Sequence, residues 1–206
     1  MKIYLDKHTH YNVDNLKHRY KCLEDIQVKE FEMNLLDKVS DDIENIYCQL
    51  VAKETISFYI RSPQQICYIA EQIAKDFNSN PFTLRLSLSE LLMNSLEHGN
   101  LNIDSNTKNT MISAGNYYDL LEHLVESNND KYITLEYKMD NPKSIIIKDQ
   151  GEGFCYQHYI KSSDDLDENS TYSGRGIQIA SIELPKNKAS FEYLEDGTKL
   201  KIKFKA

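Results

Sequence analysis

An α+β domain is the fold class this chain predicts, and three observations carry the reading. Short alternating, β-rich segments stand on both sides of two well-delimited helices. The later strands are joined by turn signals, as in a mainly antiparallel sheet, and the second helix carries one leucine stripe suited to covering a sheet face.

In chain order, Thr55-Ile-Ser-Phe-Tyr-Ile60 alternates and predicts a strand. Ser62-Pro63 supplies a cap and a first-turn proline for a helix running to Phe77. Asn78-Ser-Asn-Pro81 breaks it, and Phe82 to His98 predicts the second helix, with Leu84, Leu88, Leu91, Leu92 and Leu96 as its buried stripe and Gly99-Asn100 as its stop. Residues 101–131 are polar, with one helical stretch from Tyr117 to Glu126. Tyr132 to Met139 and Ser144 to Lys148 read as strands joined at Asp140-Asn-Pro, Ile177 to Ile182 as a helix, and Ala189 to Leu194 with Thr198 to Phe204 as a hairpin around Asp196-Gly197.

Residues 1–53 differ in character and are read as a helical extension, with 54–206 as the main domain. After a short first strand, Asn15 to Lys38 lacks proline and glycine and favours helix. Ser40-Asp41-Asp42 caps a second helix whose Val39, Ile43, Ile46 and Leu50 share a face. The pair either packs on the main domain or forms an interface with a partner or with a second copy in a homodimer. His18, on the first of these helices, lacks an acidic neighbour and reads as a solvated helical histidine.

Composition narrows the function classes. With 206 residues, 40% hydrophobic and 27% charged, the chain describes an ordinary globular protein with a real core. No apolar run approaches the ~20 residues of a membrane span and the start lacks a signal-peptide core, so no membrane is expected and the expected address is the cytoplasm. Cys22, Cys48, Cys67 and Cys155 form no Cys-x-x-Cys pair, which argues against a zinc site or a disulfide framework. A net charge of −8 with scattered lysines and arginines argues against nucleic acid and leaves protein partners open.

The chain has seven glycines, none among the first 98 residues, and four fall in two phrases, Asp149-Gln-Gly151-Glu-Gly153-Phe154 and Gly174-Arg175-Gly176. Glycine in regular structure costs roughly 0.5–1 kcal/mol, so glycines used this sparingly suggest backbone that a ligand approaches. Asp149 ends a strand, where its carboxylate can accept from an exocyclic amine such as adenine N6, and Gly151 and Gly153 let a flat base approach. The bland alternative is a glycine-rich turn with a solvated aspartate. Gly174 and Gly176 precede a helix whose bare amides form an anion site. Arg175 either contacts phosphate or braces that loop.

Upstream, Glu90 and Asn94 lie one turn apart on one helix face, a spacing suited to activating a water or hydroxyl and to holding Mg²⁺ through oxygen, and equally common on plain surfaces. His98 completes the row, where a helix C-terminal role suffices.

Together these phrases resemble a known family. Leu88-Ser-Glu90-Leu-Leu-Met-Asn94-Ser-Leu-Glu-His98-Gly99-Asn100 resembles the N box of the GHKL (histidine kinase-like) ATPases, Asp149-x-Gly151-x-Gly153-Phe154 their first glycine box, Gly174-Arg175-Gly176 their second, and Gly197-Thr198 their small terminal motif. The wording is most similar to the branch of anti-sigma-factor serine/threonine kinases, and the likeness runs from Thr55 to Lys205. It implies a Bergerat-type two-layer sandwich, a mixed, mainly antiparallel sheet with helices on one face, binding ATP with Mg²⁺. By resemblance, Glu90 is the catalytic base, Asn94 the Mg²⁺ ligand, and Asp149 the adenine contact in a pocket shaped by Gly151, Gly153 and Phe154. Gly174, Arg175 and Gly176 hold phosphates, and Thr198 assists near the adenine. Cys155 to Ser173 occupies the place of the ATP lid. The implied partner is a STAS-type anti-anti-sigma factor, a sigma factor or a response regulator, met either as a phosphoryl acceptor or by a non-catalytic nucleotide-gated module. The long stretch 101–131 and residues 1–53 depart from the smallest members.

Overall fold

In the computed structural model, residues 2–4, 47–52, 55–77, 80–156 and 175–205 are described, the first two segments as backbone only. Its strands are β1 (Lys2–Tyr4), β2 (Tyr47–Ala52), β3 (Thr55–Ile60), β4 (Ile133–Lys138), β5 (Ser144–Lys148), β6 (Ala189–Leu194) and β7 (Lys199–Phe204). They form one sheet in the order β1-β2-β3-β4-β5-β7-β6, and every described pairing is antiparallel, so the expected mixture with parallel strands is absent among the described residues. Strands β5 and β7 are neighbours although β6 lies between them in the chain, so the connection from β5 to β6 crosses over β7, and β5 and β6 run in the same direction without pairing.

Alternation explains which face is covered. Ile133, Leu135 and Tyr137 of β4, Ile145 and Ile147 of β5, and Leu200, Ile202 and Phe204 of β7 are buried, while Lys138, Lys148 and Lys203 between or beyond them are exposed. The buried set joins the apolar stripes of helices α1 (Pro63–Lys75), α2 (Pro81–Asn94) and α5 (Arg175–Lys186) in one core. Helices packed against the sheet make an α+β arrangement compatible with a two-layer sandwich.

The helix starts follow their caps. Ser62 Oγ accepts from the Gln65 amide at 3.3 Å ahead of Pro63, and Asn80 Oδ1 accepts from Phe82 and Thr83 ahead of Pro81. The end of α2 differs from expectation. The α-helix stops at Asn94, and Ser95–Asn100 continue as a π-helical turn, with Leu101 N–H reaching Leu96 O at 2.9 Å. Single π turns interrupt α-helices often at functional sites.

The polar stretch after this turn holds two helices where one was expected, α3 (Ser105–Ala114) and α4 (Tyr117–Ser127). Helix α3 buries none of its residues and shows no apolar stripe; it stands on its ends, capped by Asp104 and closed by Gly115 at φ 76°.

Residues 47–50 correct the helix expected there. Tyr47 to Ala52 form β2, paired with β3 from Tyr47↔Tyr59 to Ala52↔Thr55. The spacing of Ile46 and Leu50 fits a helix, but Tyr-Cys-Gln-Leu-Val is equally a short β-favouring run, and the free edge of β3 supplies the partner that decides it. The boundary read at 53/54 therefore falls between two paired strands. The helix read over 15–38, the start of the second one and His18 lie outside the described residues.

Candidate functional site

Three chain reversals and one helix end meet at the carboxyl end of β5. Asp149 follows β5 directly; its backbone N–H reaches Thr198 O at 3.0 Å, extending the ladder by one rung, and its Oδ1 accepts from the Gly151 amide at 3.0 Å. The side chain is 7% exposed. Burial pushes its carboxyl up to about 6, against the Gly151 and Ser95 hydrogen bonds and the Lys148 charge, which pull it down. A carboxylate held this dry, with acceptor capacity left, is suited to meeting a donor from a ligand.

The glycines are there because neighbours occupy the space of their side chains. A Cβ on Gly99 would fall on the Asp149 carboxylate, and one on Gly151 would lie 2.5 Å from Gly99 O. Gly153 has φ +84° with its Cβ direction filled by Asp196 O, and at Gly197, φ +94°, a Cβ would lie 2.7 Å from Phe154 O. So Gly99 is not the left-handed helix stop that the sequence suggests; it lets the π turn close on Asp149. Asn100 locks the same junction, its Oδ1 accepting from the Gln150 amide at 2.7 Å.

At the other end of the site, α5 begins against α2. A Cβ on Gly176 would lie 2.9 Å from Glu90 Oε2 and 3.0 Å from Asn94 Nδ2. The upstream carboxylate and amide, 86 and 82 positions earlier in the chain, thus sit at the amino end of a twelve-residue helix, where unbonded backbone amides concentrate.

Between these ends lies a cavity of about 290 Å³. Asn94, His98, Gly99, Asp149, Gly153, Phe154 and Gly197 line it, together with Asn102 to Ser105, Ile177 and Tyr193. Of the expected residues, Asn94, Asp149, Gly153 and Phe154 face the cavity. Gly151 packs behind it on Gly99, and Glu90 and Gly176 sit beside Asn94. Thr198 is not among the lining residues; its hydroxyl donates to Glu195 O at 2.8 Å. Gly174, the Arg175 side chain and the lid stretch from residue 157 lie outside the described residues.

Comparison with protein-family models, curated proteins and solved structures finds no match to the chain. The functional reading therefore rests on the motifs and on this geometry.

Three features shape the site beyond the roles that the motifs imply. His98 is held by Ile103 O at 2.5 Å from Nδ1, which folds residues 101–105 over the π turn. Glu97, 1% exposed, accepts from the Tyr117 hydroxyl and from Lys108 Nζ at 2.5 Å, fastening α3 and α4 to the same turn. Tyr193 enters from β6 and stacks on Tyr156, with ring centroids 4.9 Å apart. A buried glutamate three residues after Asn94 and a tyrosine on an alternating strand are too ordinary in sequence to be singled out. Among the described residues no group of three or more His, Cys, Asp or Glu could hold a metal ion, and no helix is long and apolar enough to cross a membrane.

Proposed function

We propose that this protein is an Mg-ATP-binding regulatory protein of the histidine kinase-like type, with a Bergerat-type domain, acting as a serine/threonine protein kinase on a STAS-like partner. The observation that carries this reading is the convergence of four separate phrases. Asn94 and Gly99, Asp149 and Gly153, and Gly197 face one cavity, and Gly176 abuts Glu90 and Asn94 beside it.

The chemistry follows from the two ends. Asp149 takes the base end, its carboxylate accepting from an exocyclic amine. The amides opening α5 take the phosphate end, where the glycine at 176 leaves space. Glu90, half-buried beside them, accepts the proton of a partner's serine or threonine hydroxyl. The freed oxygen bonds to the γ-phosphorus as the bond from that phosphorus to the β-phosphate oxygen breaks, and ADP leaves. The donor set fits Mg²⁺: Asn94 offers one amide oxygen, and the remaining ligands come from phosphate and water, as this ion prefers. Bound there, Mg²⁺ would neutralise charge on the phosphates.

The test is incubation with γ-labelled ATP and Mg²⁺ in an extract of the host, comparing wild type with Glu90→Gln. A labelled protein band that disappears in the variant is expected. No band, with ATP binding measured separately and intact, would instead assign a nucleotide-gated binding module without phosphoryl transfer.

A further inference from the structure

Tyr193 is 9% exposed and lines the cavity. No hydrogen bond from its hydroxyl is seen among the described residues, and the hydroxyl is not a fully buried atom, so it opens onto the cavity where a ligand can reach it. The sheet register aims it at the base end: Tyr193 pairs with Leu200, which pairs in turn with Ile147, two residues before Asp149. All share the face that the helices cover. Its ring is fixed by Tyr156 stacked at 4.9 Å and Phe154 edge-on at 5.3 Å, so the hydroxyl cannot swing away without breaking an aromatic cluster.

We propose that Tyr193 is a specificity-determining residue of the nucleotide site, its hydroxyl donating to a ring nitrogen of a 6-aminopurine while Asp149 accepts from the adjacent amine. The assignment rests on the ATP reading above and deepens it. An adenine edge offers one donor, the 6-amine, beside one acceptor, N1, and the pair Asp149 and Tyr193 offers the complement. Guanine would need the carboxylate to take two donors, N1–H and the 2-amine. Asp149 already accepts from the Gly151 amide and the Ser95 hydroxyl, and Gly99 packs on its carboxyl group, which crowds the two acceptor sites that remain. The Tyr193 hydroxyl adds the discrimination: as a donor it meets N1 of adenine but would face the N1–H of guanine. Burial, and after it the neighbouring Asp149 charge, keeps the phenol protonated, as a donor must be.

The experiment is equilibrium binding of ATP, GTP and 1-deaza-ATP, which lacks the ring nitrogen, to wild type and Tyr193→Phe, with thermal midpoints confirming that the variant folds. Loss of one neutral hydrogen bond should weaken ATP binding to the variant by about three- to tenfold. 1-Deaza-ATP should bind both proteins alike, and GTP should bind wild type at least about tenfold more weakly than ATP. The inference is overturned if Tyr193→Phe binds ATP as tightly as wild type does, or if 1-deaza-ATP loses as much as ATP on that substitution. GTP binding equal to ATP overturns the choice of base. A wild type that binds no adenine nucleotide overturns the ATP reading itself, and this assignment with it.

Discussion

Asp149 is asked to be dry and charged at once, and the conflict is measurable. Its carboxyl titrates at about 6, against 3.8 in a free chain, chiefly because it is buried. The native state therefore holds the proton more tightly than the unfolded state. This group's contribution to stability is full below pH about 4 and is lost as pH rises through about 6, a difference of roughly 3 kcal/mol. Asp149→Asn cannot ionise, so its thermal midpoint relative to wild type should be higher at about pH 7.5 than at about pH 4.5, measured by calorimetry. On the proposed ATP reading, nucleotide binding would run with the opposite sign, since a carboxylate is the better acceptor: wild-type affinity for ATP should fall by up to about tenfold per pH unit below about 6, and that of Asp149→Asn should stay flat. The glycines make a second set of residue-scale expectations. Gly153→Ala places a side chain at φ +84° against the Asp196 backbone and should cost on the order of 3 kcal/mol in a denaturant titration. Gly176→Ala meets the movable ends of Glu90 and Asn94 and, at 3.3 Å, the Glu90 Cβ, so it should cost less stability than Gly153→Ala and, in the proposed site, reduce nucleotide affinity.

Elements differ in how plainly the sequence announces them, and the reason is physical. Strands β3 to β7 and helices α1 and α2 were readable because each has local cues that burial reinforces: Ser62-Pro63 and Asn80-Pro81 at the helix starts, and Ile145 and Ile147 alternating in β5. Helix α3 was not, since a helix with no buried residue has no stripe to read. Strand β2 was not, because its partner β3 decides it. The π turn was not, because Asp149, on which it closes at Gly99, is 50 residues away in sequence. The site was legible in the same proportion: Glu90, Asn94, Asp149 and the glycines form phrases, whereas Tyr193 stands in none and Glu97, though inside the first phrase, acts only through tertiary contacts. Glu97 shows what such a contact does for an element. It holds Lys108 of α3 and Tyr117 of α4, and burial together with this glutamate pushes the Tyr117 hydroxyl well above its ordinary range. Glu97→Ala leaves the Tyr117 hydroxyl without its acceptor, while Lys108, 32% exposed, can turn to water, so the change should cost about 1–3 kcal/mol. Hydrogen exchange should rise first across residues 105–127, while β4 and β5 stay protected; a uniform rise over the sheet would mean that the clamp serves the core instead.

On the scale of the whole molecule, the cavity is lined from α2, the π turn, residues 102–105, the turn after β5, α5 and the β6–β7 turn. A ligand seated there touches segments that come together only in the folded chain, so its binding energy is folding energy. Saturation at a hundred times the dissociation constant adds about 2.7 kcal/mol. For a protein of this size that corresponds to a rise of about 5–10 °C in thermal midpoint with Mg-ATP. Variants divide the effect by role. Glu90→Gln keeps its shape and the neighbouring Gly176, and if Glu90 serves proton transfer it should retain the full shift while losing phosphoryl transfer. Asp149→Asn and Gly153→Ala, which alter the base end, should lose most of the shift. The informative reversal is a Glu90→Gln protein that folds normally and shows no shift with Mg-ATP: Glu90 would then belong to binding, and the transfer chemistry would need another base.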